Sequence, residues 1–244
     1  MSIIRTLSTS KRVLNQLKHD KRTLALIFIV PPILLTILKY VFDGQSRIFD
    51  SIAPMLLGIF PMIMMFLISS IITLRERSSG TLNRLMTMPI SKSDFIFGYA
   101  LAFSIIGLLQ ALLAAGVMLG LLKVPVVGGT IETLIIAVIA SFLGTSLGLF
   151  TSAFAKSEFQ AIQFMPAFIF PQLLVCGLFV ARNNMSRLLQ LFADVMPLSY
   201  SVDAMKQVAN TSGWSSVLIK DIIVVLIFAL IALVLGSFTI KRKE

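Results

Sequence analysis

LRERSSGTLNRLMTMPISKSDFIFGY, Leu74–Tyr99, places Arg75, Glu76, Arg77, Arg84 and Lys92 between two uncharged hydrophobic runs, Ile52–Leu74 and Phe95–Leu122. Both flanking runs are long enough to cross a bilayer as helices. A charged segment between two such runs is a water-side element tied to a membrane at both ends.

The rest of the composition agrees. The 244 residues are 57% hydrophobic and 13% charged, with a mean hydropathy of +0.95. A soluble domain carries about 25% charged residues, so the bilayer is the solvent for most of this chain. Six uncharged runs stand out: Leu24–Leu38 (extendable to Phe42), Ile52–Leu74, Phe95–Leu122, Thr133–Ala155, Phe159–Ala181 and Ile222–Ile240. A spanning helix needs about 20 apolar residues, and every backbone polar group in it must be satisfied internally. The short alternating strands of a membrane β-barrel are absent. The expected fold is an all-α integral membrane protein with six transmembrane helices, a single domain over residues 1–244.

The net charge of +10 follows the positive-inside rule better than it suggests nucleic acid. The N-terminal segment, the loop holding Arg75, the loop holding Lys156 and the C-terminal tail carry 14 of the 21 Lys and Arg residues. The opposite side carries the other seven, more thinly spread. Both termini are therefore expected in the cytoplasm. The first apolar run ends at Lys39-Tyr40-Val41-Phe42 without a small-residue cleavage site, unlike a signal peptide. The one cysteine, Cys176, is read as a packing residue.

Local patterns fill in the connections. Ile3, Leu7, Leu14 and Leu17 share one helical face among Arg5, Lys11, Arg12 and Lys18, so residues 1–22 are expected as a basic amphipathic helix at the inner leaflet. Pro31-Pro32 should kink or interrupt the first span. Gly116 with Gly120, and Ala140 with Gly144, Gly148 and Ser152, are small residues at spacing four, expected to pack helices within one subunit. Pro166 and Pro171 with Gln160, Gln163 and Gln172 mark the fifth run as a broken, polar helix. Met185, Leu188, Leu189, Phe192 and Met196 form one helical face, Pro197 interrupts it, and a second short stretch follows, with Trp214 as an interfacial residue.

Within the opening stretch, Gly80 and Thr81 supply a break. Leu82, Leu85 and Met86 form an apolar face, and Pro89 ends the helix. Ser91-x-x-Asp94 is a capping box that opens the third span. The order Glu-Arg-x-x-Gly-Thr-Leu, the amphipathic turn and Met-Pro-Ile-Ser resemble the cytoplasmic coupling loop of type-2 ABC exporter permeases. Met-Pro-Leu-Ser-Tyr-Ser-Val-Asp-Ala-Met (196–205) resembles the same family. The resemblance implies a coupling loop over 75–92 in which Arg75, Glu76, Arg77, Gly80, Thr81, Leu82, Leu85, Met86 and Pro89 engage a separate ATPase. It also implies a connecting helix over 1–22 and short outer helices over 183–213, at Met185–Val195 and Ser199–Gln207. Two ATPase subunits and a second permease copy, identical or similar, would complete the transporter in a bacterial cell membrane.

Absences bound the chemistry. No phosphate-loop motif occurs, so the chain binds no cofactor of its own, and ATP and Mg would be held by the partner. The single histidine, His19, has no metal-ligand companions, and no catalytic residue is assigned. The six runs hold no carboxylate; Glu132 and Asp221 are expected at span ends in reach of water. Met62, Met65 and Phe66, with Gln163, Phe164, Phe168 and Gln172, are candidates to line a path for an amphipathic drug, antibiotic peptide or lipid. The alternatives are a non-transporting sensor or scaffold and an ion-coupled carrier.

Overall fold

The computed structural model describes residues 2–79 and 91–239, and every regular element among them is helical. In chain order these are α1 (Ile3–His19), α2 (Lys21–Val41), α3 (Ser46–Ser78), α4 (Lys92–Gly116, continued by a π-helical turn at Val117–Leu121), α5 (Thr130–Ser152) and α6 (Glu158–Val175). A 3-10 turn at Arg182–Asn184 leads to α7 (Arg187–Val195), α8 (Pro197–Asn210) and α9 (Ser216–Thr239). The expected coupling helix with its stops, Gly80–Pro89, falls outside the described residues.

Among the described residues, five helices are long and apolar enough to cross a membrane: α2, α3, α4 with its π turn, α5 and α9. The sixth expected span is a helix of only 18 residues, α6, which ends at Val175 rather than Ala181. Its glutamines and prolines dilute its hydropathy. The prolines do not interrupt either helix, since α2 runs through Pro31 and Pro32 and α6 through Pro166 and Pro171. The second span is longer than its apolar run: α3 has 33 residues and carries Arg75, Glu76 and Arg77 in its last turn instead of in a loop.

Helix α3 is the centre of the bundle and packs most extensively on α5. The small-residue stripe of α5 permits this. A Cβ on Gly144 would stand 2.1 Å from the Met62 carbonyl oxygen, and one on Gly148 would stand 2.4 Å from that of Phe66. The Ser69 hydroxyl reaches across to the Thr145 carbonyl at 3.2 Å. Gly116 and Gly120 do not pack in this way; a Cβ on either meets nothing within 4 Å. The buried face of α4 carries Ala111, Ala114, Ala115 and Met118, and the two glycines lie on its other side.

Helix α1 meets the bundle with its short polar side chains. It buries Thr6, Thr9, Ser10, Val13 and Leu17, while Ile3 and Leu7 stand 74% and 53% exposed. Short side chains let α1 approach α4 closely: a Cβ on Gly98 would meet Thr9 Cβ at 2.6 Å. The threonine hydroxyls donate to carbonyls of their own helix, Thr6 to Ser2 and Thr9 to Arg5, so they pack without needing a partner.

Candidate functional site

The last turn of α3 is held from three sides. Glu76 is only 3% exposed, and its Oε1 accepts from Arg12 Nη1 of α1 at 3.1 Å. The other arm of the same guanidinium donates to the Tyr99 hydroxyl of α4 at 2.5 Å. The Arg12 guanidinium also stands over the Tyr99 ring, 5.6 Å from its centroid. Burial alone would pull Arg12 down, but Tyr99 and Glu76 together hold it above its ordinary pKa. A buried carboxylate is tolerated when it is met in this way, and here Oε1 is met within the chain, while the buried Oε2 has no hydrogen-bond partner among the described residues.

The neighbouring arginines point elsewhere. Arg75 makes a two-armed contact with Glu158 at the start of α6, at 2.8 and 2.9 Å, and this pair is solvent-exposed. Arg77 donates to the Ser152 carbonyl at the end of α5, one of the carbonyls a helix end leaves without an internal donor. The three charged residues of this turn thus join α3 to α1, α4, α5 and α6.

The far side of the 80–90 segment is equally fixed. Ser91 and Asp94 form the expected capping box: Ser91 Oγ accepts from Asp94 N, and Asp94 Oδ2 from Ser91 N, both at 3.1 Å. The second Asp94 oxygen accepts from the Ser2 backbone N–H at 2.8 Å, tying the start of α1 to the start of α4. The segment is therefore clamped where it leaves α3 and where it enters α4, with α1 bridging both. Of the residues expected to couple, Arg75, Glu76 and Arg77 are brought together here. Gly80, Thr81, Leu82, Leu85, Met86 and Pro89 lie outside the described residues. Arg12 and Tyr99 belong to the cluster and had no sequence signal beyond the polarity of one and the bulk of the other.

The residues expected to line a path do not share one surface. Met62, Met65 and Phe66 are fully buried among α3, α4 and α5. Gln163 and Phe168 are exposed on α6, with Phe164 half-buried between them. Gln172 is buried and structural: its Nε2 donates to the Phe168 carbonyl at 2.8 Å, and its Oε1 accepts from Leu198 N at 3.3 Å. Asp221, expected in water, is 5% exposed and accepts from Gln207 Nε2 at 2.8 Å. No cluster of metal-ligating side chains occurs among the described residues.

Comparison with known proteins fits this architecture. The chain is 25% identical over 166 residues to ABC transporter G family member 20 of Dictyostelium discoideum, an alignment covering 68% of this chain and 23% of that protein. It is 24% identical over 157 residues to Probable multidrug ABC transporter permease YbhR of Escherichia coli K12, covering 64% of this chain and 43% of the relative. With Probable multidrug ABC transporter permease YbhS of the same strain it shares 20% over 178 residues, covering 72% and 47%. The chain thus spans less than half the length of the curated relatives it matches. The family model described as ABC-2 type transporter matches residues 5–209, most of the sequence. By that match the chain belongs to the ABC-2 family, a membrane component of ABC transporters.

Proposed function

We propose that this chain is the permease subunit of an ATP-driven exporter, with six spans and both termini in the cytoplasm. Residues 75–92 are the element on which a separate ATPase acts. ATP and Mg are bound by that partner, present in two copies beneath two permeases. The carrying observation is the clamp at the base of the segment, where Glu76 is buried against Arg12 and Tyr99. A loop tethered loosely would absorb an applied force. A loop whose two roots are joined through α1 transmits it to α3 and α4 together. The transport cycle then uses the usual requirement that substrate and nucleotide favour different states.

The substrate is a hydrophobic or amphipathic molecule: a drug, an antibiotic peptide or a lipid. Support comes from the apolar composition of the bundle and from the multidrug wording of the YbhR and YbhS names. On this reading Gln163, Phe164 and Phe168 of α6 face the path between two copies, and Met62, Met65, Phe66 and Gln172 back it.

Co-expression with candidate nucleotide-binding subunits tests the reading. The permease co-purifies with one of them, and an impermeant thiol reagent labels Ser79→Cys only after the cells are permeabilised. Labelling of Ser79→Cys in intact cells, or no co-purifying ATPase, would count against it.

A further inference from the structure

Three short elements close the end of the bundle remote from Glu76: the turn Arg182–Asn184, α7 and α8. They are held by different means. Helix α8 is keyed into the bundle, with Leu198, Val202 and Met205 fully buried. A Cβ on Gly58 of α3 would come within 3.0 Å of Met205 Cγ. The Gly128 N–H donates to the Val208 carbonyl at 2.8 Å. The far end of α8 is tied to α9 by Gln207, which donates to Asp221 at 2.8 Å and accepts from Ser215 Oγ at 3.0 Å.

Helix α7 has no such seat. Ala193 is its one buried residue, and Leu188, Leu191 and Val195 are each more than half exposed. Its attachment to the bundle is largely polar. The Arg182 guanidinium reaches Asp194 of α7 with one arm and Asp203 of α8 with the other. It also lies over the ring of Tyr200, 5.7 Å from the centroid, and the Tyr200 hydroxyl donates to the Asp194 carbonyl at 2.7 Å. Beside this fork is a cleft of about 230 Å³ walled by Arg182, Gln190, Asp194, Asp203 and Lys206.

We propose that α7 is a detachable flap, latched to the fixed α8 by the Arg182 fork, so that parting Arg182 from Asp194 frees α7 and leaves α8 in place. Apolar burial holds α8 and is lost only by unfolding that corner of the bundle. The two arms differ: the Asp194 side chain is 52% exposed and the Asp203 side chain 30%, so the α7 arm is the more solvated, the weaker and the first to part. The polar cleft supplies that solvation. Lys206, on the same wall, keeps a cation near Asp203 when Arg182 moves. Since Ala193 is the one side chain of α7 buried against the bundle, opening sacrifices little burial. Elements of low local stability of this kind open independently of their neighbours.

Hydrogen exchange on the full-length chain in lipid nanodiscs tests the latch. In Arg182→Gln the amides of α7 exchange about fivefold faster than in the parent, while those of α8 and α9 are unchanged. Asp194→Ala, at an exposed position, removes the α7 arm alone, leaves the Tyr200 bond to the backbone carbonyl of residue 194, and gives the same pattern even if Arg182→Gln fails to fold. Unchanged α7 exchange in Asp194→Ala would overturn the proposal. So would a matching rise in α8, because the two helices would then be one unit.

Discussion

Arg12 and Glu76 stand 64 positions apart in the chain and meet at 3.1 Å, joining the first helix to the end of the central one. Glu76 is almost wholly buried, whereas the Arg12 side chain is about one-third exposed. The pair is therefore asymmetric: removing the arginine strands a buried carboxylate, and removing the glutamate releases an arginine to solvent. Arg12→Gln is expected to cost about 2–3 kcal/mol, below the usual cost of about 3–5 kcal/mol for breaking a buried pair because Arg12 is partly solvated. Glu76→Gln costs less, and the double variant costs less than the sum of the two. Thermal unfolding of the purified variants measures all three, and strict additivity would show that the two groups do not interact.

The glycines separate into two kinds. Gly148→Ala places a methyl group against the Ser69 hydroxyl and the Phe66 backbone, and is expected to destabilise by about 1–3 kcal/mol. Gly116→Ala and Gly120→Ala meet open space and exchange a poor helix former for a good one. The isolated chain should melt at the same temperature or higher with either. A loss of stability in Gly116→Ala would mean that a neighbour covers that face.

The pair of Arg75 and Glu158 is bidentate but exposed, so it contributes at most about 1 kcal/mol to the fold. Glu158→Gln is expected to leave the melting temperature within a few degrees of the parent. An effect on ATPase stimulation without an effect on melting would mark Arg75 as a residue read by the partner.

Asp20 caps α2, accepting from Thr23 N at 3.1 Å and from Thr23 Oγ1 at 2.6 Å. These hydrogen bonds hold its carboxyl below the usual range. A carboxylate with a depressed pKa stabilises the fold above its unfolded value, about 3.9, and the gain is lost as pH falls through the folded value. Asp20→Ala should therefore cost about 1 kcal/mol at pH 7 and clearly less once the pH has fallen through the lowered value of the folded state. A penalty independent of pH would assign the effect to packing.

Regularities within one helix were legible in the sequence. Five of the long apolar runs, the Ser91–Asp94 capping box and the two short helices beside Pro197 follow from local spacing, and helices or caps appear at or near those places; the run Phe159–Ala181 forms a shorter helix than expected. Contacts that depend on which faces meet were not. The stripe at Gly144 and Gly148 and the pair Gly116 and Gly120 look alike as strings, yet one is packed and the other open. The apolar spacing of α1 named Ile3 and Leu7 but gave no sign of the side that meets α4, where close approach to Gly98 selected threonines that satisfy their own hydroxyls. The inward turn of Glu76 needs Arg12 and Tyr99 from distant parts of the chain, which no local window contains. Asp221 was placed in water by its position at a run's edge, and Gln207 draws it into the fold.

On the proposed function, movement of a partner ATPase reaches α3 and α4 through the segment rooted at Glu76 and Ser91. Substrate-stimulated ATP hydrolysis by the complex in lipid nanodiscs, compared between the parent and Leu85→Asp, tests it most directly. The account predicts that Leu85→Asp, which places a charge on the apolar face read from the sequence, abolishes stimulation while the permease melts as before. Full stimulation by the Leu85→Asp complex would contradict it.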